Sequence, residues 1–414
     1  MSIRLTTWNI AWFGQLLQGK TRTIPQRSKK VTSAAGKSLQ ELQRKQIAEE
    51  IRRMDPDILC IQEGPSTGNV DRLQSFCDDD LEGDWTVVTR DKRDKYLISG
   101  SQGIFFIIKT ARMDELQPRF LSQAAWIEAT EFESRSDLSV DGSGEHQRKW
   151  PIIHPLFKPK GVQSLAEPEE EDEDAPKLND REHSHFRHPQ VLVCDVDGRR
   201  VDFVGVHLKS KFGGNDYRAA GLARRKENKT PEDIALILRA EQTAVEARIK
   251  LSTETANIRY YIENRFRNEP EPAIFILGDM NDGVGKEVFE RKYLFHDAIS
   301  NLQGDVFFAN RFLNHALFDY SQQNGENHRW TVTFFDVWDP ARAPEILLDH
   351  IAFTQGVCSP NSLIETGLCV LPKAGRVEHE IHNAVNAVFD SEDDHTSDHR
   401  PVTLDIQTSA DLVA

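Results

Sequence analysis

The chain has 414 residues, of which 38% are hydrophobic, and a formal net charge of −15. This length suits one large domain with a sizeable core, and no apolar run approaches the ~18 residues of a membrane span. The acidic balance argues against a nucleic-acid coat protein. Because five scattered cysteines accompany an N-terminus without the apolar region of a secretory signal, we expect reduced thiols in a cytoplasmic protein.

The predicted elements alternate between buried strands and amphipathic helices, which indicates an α/β fold. A strand over 3–8 is followed by a polar, basic loop over 14–37. Ser38 and Glu41 then match a capping box, ahead of a helix that Pro56 ends. A long helix follows Pro231, and Asp197-Gly198 predicts a hairpin. Further strands are predicted at 57–62, 85–89, 103–109, 190–196, 201–207, 273–277, 347–353 and 400–406.

The charge is unevenly distributed along these elements. Positions 167–174 hold seven acids in eight residues, inside an acidic segment at 165–182 that we expect to be mobile. That segment belongs to a probable insertion at 131–188 within a single domain over 1–411. Residues 14–53 carry ten Lys or Arg against three Glu. This basic stretch is compatible with a polyanionic substrate, although a solvated helix and loop is the more common explanation of a charge run taken alone.

Polar residues stand at or beyond the ends of the predicted strands, where α/β enzymes present their functional groups. The six motifs, in chain order, are Thr7-Trp8-Asn9, Gln62-Glu63, Gly205-Val206-His207, Gly278-Asp279-Met280-Asn281, Leu348-Asp349-His350-Ile351 and Ser397-Asp398-His399-Arg400-Pro401. Each has a simple structural explanation when it is taken alone, such as a turn, a helix cap or an ion pair. Six such matches in order are not expected by chance.

These residue types suit hydrolysis of a phosphate ester. The anionic phosphorus centre repels a nucleophile, so a catalyst must neutralise charge and activate water. Mg²⁺ prefers oxygen ligands, keeps several waters and is held by few carboxylates. Converging carboxylates repel each other by up to ~4 kcal/mol per pair at 4 Å and an effective dielectric of 20. A cation or protonated imidazoles, which His207 and His399 can supply, would relieve that repulsion.

The ordered motif set resembles the endonuclease/exonuclease/phosphatase superfamily, over residues 3 to 405. The resemblance implies a deoxyribonuclease I-like four-layer α/β sandwich, in which two packed mixed β-sheets are flanked by helices. It also implies a divalent-metal-dependent phosphodiesterase. The basic loop 14–37 and the Lys209/Lys211 pair favour a nuclease among the superfamily's activities, one that cuts DNA or RNA by in-line attack of water and leaves a 5′-phosphate. The cofactor would be Mg²⁺, with Mn²⁺ as the alternative. No membrane and no obligate protein partner are expected.

The resemblance also assigns roles residue by residue. The metal group would comprise Glu63 as the principal ligand, with Asn9 and Asp398 beside it. The catalytic group would comprise Asp279 orienting or deprotonating the water, Asn281 holding the phosphate or the nucleophile, Asp349 fixing the tautomer of His399, His399 contacting phosphate or acting as base, and His207 protonating the leaving oxygen or binding phosphate. Either Asp279 or His399 serves as base in this scheme.

Three basic residues are predicted to bind the substrate. Arg187, in Phe186-Arg187-His188-Pro189, resembles an Arg-x-Pro element of the nuclease branch, and Lys209 and Lys211 add charge at a strand end, as in several bacterial nucleases. The neighbouring histidines at 183, 185 and 188 are expected to be a solvated loop and not a metal cluster.

Two other functions stay open. One is a phosphomonoesterase or lipid phosphodiesterase, of the inositol-phosphate phosphatase or sphingomyelinase kind, on the same scaffold. The other is a binding module that has lost its chemistry, which the complete residue set disfavours. The acidic segment 165–182 is also compatible with an internal mimic of nucleic acid that occupies the basic face.

Overall fold

The structure is a computed structural model. It describes residues 2–22, 29–91, 94, 96, 102–130, 150–151, 182–183, 185–211, 214, 216–283, 285, 287–320, 328–358 and 367–408. The acidic segment predicted at 165–182 lies outside the described residues apart from its last position, and so does most of the predicted insertion at 131–188.

The strands form two mixed sheets. In chain order they are β1 Ser2–Asn9, β2 Ile58–Gly64, β3 Trp85–Val87, β4 Gly103–Lys109, β5 Arg119–Phe120, β6 Trp150–Pro151, β7 Glu182–His183, β8 Gln190–Val196, β9 Arg199–His207, β10 Ala273–Asp279, β11 Leu313–His315, β12 Val332–Thr333, β13 Glu345–Ile346, β14 Asp349–Thr354, β15 Leu368–Cys369, β16 Gly375–Val377 and β17 Val402–Thr408. The first sheet has the order β15-β17-β1-β2-β4-β3, with β16 also paired to β17, and the second has the order β11-β14-β10-β9-β8-β5. Two short pairs, β12-β13 and β6-β7, stand apart.

Helices cover the outer faces of both sheets. They are α1 Phe13–Leu17, α2 Ala34–Met54, α3 Val70–Asp79, α4 Met113–Leu116, α5 Gln123–Thr130, α6 Tyr217–Arg224, α7 Pro231–Asn268, α8 Val288–Tyr293, α9 Ala298–Gln303 and α10 His379–Asn386. Thr230 begins α7 with a reciprocal capping box to Asp233 and with Pro231 in the first turn, which satisfies backbone donors that the helix itself leaves unpaired.

The hydrophobic core is divided by the two sheets. Between them lie side chains from alternate strand positions, among them Ile58, Phe106, Phe203, Phe275 and Ile351. A second cluster joins the first sheet to α2 and α3, and a third joins the second sheet to α7 and α9. Each sheet is therefore apolar on both faces, as burial between a sheet and a helical layer requires. The predicted four-layer α/β sandwich is confirmed.

One predicted helix boundary is wrong. α2 begins at Ala34, and the cap is Ser33, whose Oγ accepts a hydrogen bond from the Gly36 amide. Ser38 lies inside the helix, because two alanines of high helix propensity follow Ser33 directly and extend the helix by a turn. The predicted loop from 14 to 37 is also interrupted, since α1 buries its apolar side chains under the first sheet.

Candidate active site

The strand register brings the predicted motifs to one end of the sandwich. Asp279, the last residue of β10, pairs with His207 at the end of the parallel strand β9 and with Asp349 at the start of the antiparallel strand β14. In the first sheet, Asn9 at the end of β1 pairs with Gln62 on the parallel strand β2, directly before Glu63. The carboxyl ends of parallel strands meet at one edge of a sheet. The pairing of the strands therefore brings these polar residues together.

Asp279 is the buried centre of this cluster. Its carboxylate accepts a hydrogen bond from Asn9 Nδ2 at 2.9 Å and another from the backbone amide of Asn281 at 2.8 Å. His207 Nε2 lies 3.5 Å from the same carboxylate. Asn281 Nδ2 in turn donates to the Leu208 carbonyl at 3.0 Å. Three predicted catalytic residues and one predicted metal neighbour are therefore in direct contact.

A second pair joins the two remaining catalytic residues. His399 Nδ1 donates to Asp349 Oδ2 at 2.7 Å, which fixes the tautomer and leaves Nε2 for a substrate. The His399 backbone is held by Trp8, whose Nε1 donates to the His399 carbonyl at 3.0 Å. Ser397 Oγ accepts from the His399 amide at 3.1 Å and donates to the Asn9 carbonyl at 2.6 Å. The predicted Asp–His arrangement is present, and it is tied to the end of β1.

Unusual backbone geometry sets two of these positions. Glu63 has φ 58°, in the left-handed region that few residues other than glycine adopt, at a register shift between Ile61 and Gly64. Gly278 has φ 141°, and a Cβ there would lie 1.9 Å from the Val206 carbonyl oxygen. The shift turns the Glu63 side chain out of the strand, and the glycine lets β10 approach β9 just before Asp279.

The charges at the site are strongly perturbed. Burial raises the pKa of Asp279 to about 7, although the charge of His399 opposes that shift. Burial and the charges of Arg187 and His399 lower the pKa of His207 well below its usual range. Burial also lowers the pKa of His399, but the charge and hydrogen bond of Asp349 outweigh it and raise the pKa well above its usual range. The pKa values of the two imidazoles are thus shifted in opposite directions.

Glu63 lies at the edge of the cluster, and its carboxylate accepts hydrogen bonds from two donors. The Trp12 amide donates to Oε2 at 2.6 Å, and Gln102 Nε2 donates to Oε1 at 3.0 Å. Burial raises the pKa of the Glu63 carboxyl, while the Trp12 amide opposes the shift. Gln102 was not predicted; its only sequence signal is its place directly before β4, the strand paired with β2.

The residues around Glu63 fit a hydrated divalent cation. Asn9 Oδ1 is buried and has no hydrogen-bond partner among the described residues, so it is an available oxygen ligand. Asp398 is exposed and its charge acts on Glu63. Nowhere in the described ranges do three or more His, Cys, Asp or Glu side chains form a metal-binding group. This donor set suits Mg²⁺, which keeps several waters, better than a fully protein-ligated ion such as zinc.

Arg187 has internal partners. Its guanidinium donates to the carbonyl oxygens of His207 at 2.9 Å and Leu208 at 2.7 Å, and to Gln102 Oε1 at 2.6 Å. It therefore holds the end of β9 and, through Gln102, the Glu63 carboxylate. The structure places this predicted phosphate contact beside the site as a buried support.

The two predicted substrate-binding lysines differ from each other. Lys209 Nζ donates to the Ser210 carbonyl at 2.7 Å. Lys211 Nζ is surrounded by carboxylates, in contact with Asp282 and 2.8 Å from Glu290. Its charge is therefore compensated inside the protein, and the structure does not bring it into the Asp279 cluster.

The expectation that the histidines near 183–188 form a solvated loop is wrong. His185 is buried, and its Nε2 lies 3.0 Å from Asn257 Oδ1. His183 Nε2 lies 2.9 Å from Glu254 Oε1. Both partners belong to α7. A helix distant in sequence therefore supplies the hydrogen-bond partners that these histidines need in order to be buried.

Two further residues support the site without belonging to any motif. Thr331 Oγ1 accepts hydrogen bonds from the Leu348 amide at 3.0 Å and the Asp349 amide at 3.2 Å. Arg22, from the basic loop, donates to the carbonyl oxygens of Ala11 at 2.7 Å and Thr396 at 2.6 Å. Burial lowers the pKa of Arg22 to about 10, although the charge of Asp398 opposes the shift. Neither residue carries a sequence signal, because each acts through backbone atoms far away in the chain.

Comparison with solved structures finds matches over nearly the whole chain. Truncated Caenorhabditis elegans TDP2 matches with a TM-score of 0.44 and 10% identity, covering 99% of this chain and 98% of that one. The human Nocturnin catalytic domain with bound sulfate matches with a TM-score of 0.42 and 14% identity, covering 98% and 94%. An endonuclease/exonuclease/phosphatase family protein from Bacteroides thetaiotaomicron matches with a TM-score of 0.40 and 11% identity, covering 98% and 97%.

The two packed mixed sheets flanked by helices are the architecture that the resemblance of the sequence motifs implied. No family model and no curated protein matches the chain. Among the described residues, no helix has both the length and the apolar character needed to cross a bilayer.

Proposed function

We propose that this chain is a divalent-metal-dependent phosphodiesterase, a nuclease that hydrolyses DNA or RNA by in-line attack of water. The observation that carries the proposal is the contact between the two sheets: Asn9 on β1 and His207 on β9 both face the Asp279 carboxylate. The His399–Asp349 pair lies at the same end of the sandwich. Acid, amide and imidazole groups from four strands and one loop therefore surround one point.

The hydrogen bonds support a division of roles. Asp279 is held by Asn9 and by the Asn281 amide, so its carboxylate is oriented to take a proton from the attacking water. His399 is bound to Asp349 and is the charged imidazole, which suits it to stabilise the negative charge on the phosphate. His207 is the neutral imidazole, and it is placed to donate a hydrogen bond to a phosphate or leaving oxygen.

A divalent cation, when bound, would neutralise phosphate charge and stabilise the leaving oxygen. Glu63 would hold it, with Asn9 Oδ1 and the exposed Asp398 beside it. The support of Glu63 by Gln102 and Arg187 fits this role, because a ligand that is itself hydrogen-bonded has a fixed orientation.

The test is a nuclease assay with purified protein and labelled single- and double-stranded DNA and RNA, with Mg²⁺, with Mn²⁺ and with EDTA. We expect cleavage that EDTA abolishes, and a loss of at least 100-fold in kcat for Asp279→Asn, Glu63→Gln and His399→Gln, on the order of the effect of removing one catalytic group. Wild-type turnover in all three variants would overturn the proposal.

A further inference from the structure

One buried acid interrupts the apolar face of α7. Leu251 and Ile258 on that face pack against the second sheet. Glu254 lies three positions after the first and four before the second, so it projects from the same face of the helix. Its side chain is only 2% exposed. Burial of a carboxylate is unfavourable unless hydrogen bonds satisfy it, and an apolar residue would pack equally well here. The acid therefore indicates a polar role.

Both oxygens of the Glu254 carboxylate have donors. The Lys209 amide donates to Oε2 at 2.7 Å, and His183 Nε2 donates to Oε1 at 2.9 Å. His185 Nδ1 lies 3.8 Å from Oε2. Burial raises the pKa of Glu254, but the hydrogen bonds and charges of His183 and His185 outweigh it and lower the pKa to about 2. The group is therefore a carboxylate at neutral pH.

The Lys209 amide is the point at which β9 loses its partner strand. One residue earlier, the Leu208 amide still donates to the Asp279 carbonyl at 2.9 Å. The Lys209 amide donates to the Glu254 side chain instead. A buried backbone amide needs an acceptor, so the acid on α7 extends the hydrogen bonding of β9 by one residue beyond the sheet.

The carbonyl groups of the same stretch are also held. Arg187 donates to the carbonyl oxygens of His207 at 2.9 Å and Leu208 at 2.7 Å, and Asn281 Nδ2 donates to the Leu208 carbonyl at 3.0 Å. The charge of Glu254 also acts on the Arg187 guanidinium. Every backbone polar group from the carbonyl of residue 207 to the amide of residue 209 therefore has a partner, and Glu254 supplies the last one.

We infer that Glu254 is a positioning residue for His207. Its carboxylate, held by His183 and His185, fixes the backbone just beyond β9 and with it the direction of the His207 imidazole. The inference rests on the proposed nuclease function and adds to it a residue that acts through another side chain. His183 and His185 lie next to the end of the predicted insertion, so this carboxylate also ties that end to the catalytic edge of the second sheet.

The test is a double-mutant cycle on kcat for DNA cleavage with Mg²⁺. Glu254→Leu fits the apolar face of α7 but cannot accept the Lys209 hydrogen bond. It should lower kcat by about 100-fold, as a small misplacement of a catalytic group does, with little change in KM. In a His207→Gln background the same substitution should change kcat by less than about 3-fold, because the imidazole that Glu254 positions is absent.

Two further variants separate positioning from stability. Glu254→Gln keeps an oxygen acceptor for the Lys209 amide and should recover most of the lost kcat. Glu263→Leu is the matched control, because Glu263 is a partly buried acid of α7 that pairs with Arg259 and Arg311 and not with β9. It should keep the wild-type kcat. Circular dichroism checks each fold, and His183→Ala, which removes only the donor to Oε1, replaces Glu254→Leu in the cycle if that variant does not fold.

The outcomes separate the two proposals. If the wild type cleaves nucleic acid and Glu254→Leu keeps the wild-type kcat, or lowers kcat by the same factor with and without His207, the positioning role is overturned and the nuclease function stands. If the wild type cleaves no nucleic acid with Mg²⁺ or Mn²⁺, or cleaves only phospholipid vesicles, the nuclease function is overturned and the positioning role with it.

Discussion

Asn9 and Asp279 belong to different sheets, and the 2.9 Å hydrogen bond between Asn9 Nδ2 and Asp279 Oδ2 joins the two halves of the site. The bond uses the amide nitrogen and leaves Oδ1 buried without a partner among the described residues. One asparagine thus orients the proposed base with its nitrogen and keeps its oxygen available as a ligand.

Replacement of Asn9 should therefore affect both functions. We expect Asn9→Ala to lower kcat by about 10- to 1,000-fold, as removal of a positioned polar group does, and to weaken activation by Mg²⁺. The loss of a buried hydrogen bond should reduce the free energy of unfolding by about 1–3 kcal/mol. Steady-state kinetics across Mg²⁺ concentrations and urea unfolding measure the two effects; unchanged kcat would contradict the assignment.

Glu63→Gln should weaken metal binding. The substitution keeps the shape of the side chain but removes its charge, so Mn²⁺ affinity in titration calorimetry should fall by at least ~10-fold. Glu82→Gln is the control, because the Glu82 side chain is 79% exposed and lies at a turn, and it should bind Mn²⁺ like the wild type. Equal affinities in all three proteins would exclude Glu63 as the ligand.

Thr331→Val should impair the enzyme without touching the substrate. Valine has the same shape as threonine but cannot accept the hydrogen bonds of the Leu348 and Asp349 amides, so we expect a loss of about 1–3 kcal/mol in stability. A shifted Asp349 should lower kcat more than it changes KM. Thr333→Val, at an exposed position of the same hairpin, is the matched control, and a comparable kcat defect there would argue against the role of Thr331.

Glu50 should be important for stability. It is fully buried on α2, and its carboxylate contacts His382 Nδ1 at 2.8 Å and Thr396 Oγ1 at 2.7 Å. Glu50→Ala removes the acceptor of the buried Thr396 hydroxyl and the carboxylate partner of the buried His382 ring, so the free energy of unfolding should fall by about 3 kcal/mol or more. Glu49→Ala, which removes a partly exposed ion pair to Arg53, should cost below about 0.5 kcal/mol. Similar urea midpoints for the two variants would contradict this prediction.

Stability should fall on acidification partly because of His379. Burial lowers the pKa of His379 to about 4, against the hydrogen bond to the His328 carbonyl, which raises it. Since the unfolded side chain titrates near 6.5, its contribution is fully present above pH ~6.5 and is lost as the pH falls toward 4. His379→Gln should therefore show a smaller difference in unfolding free energy between pH 7.5 and pH 5. The exposed His296 is the control position, and a wild-type difference in His379→Gln would rule the contribution out.

Local sequence patterns predicted the alternating strands and helices and the polar residues at the strand ends, because those features depend on neighbours in the chain. The sandwich architecture was implied by the resemblance of the ordered motifs to a known superfamily. Asp197 and Gly198 both adopt positive φ in the predicted hairpin, and Gly278 precedes Asp279 because only glycine fits there. Gln102, Thr331 and Arg22 could not be predicted, because each acts on an atom that tertiary packing brings near. The burial of His185 escaped prediction for the same reason, since its partner Asn257 lies 72 positions away.

The helix α7 has 38 residues and is therefore about 57 Å long. Glu254 on this helix accepts a hydrogen bond from the Lys209 amide at the end of β9, and Arg248, about 9 Å earlier along the axis, borders a cavity next to Asn281. One helix thus contacts both the end of β9 and the cavity beside it. Any bending of α7 would displace the two contacts relative to each other, so their separation depends on this single helix.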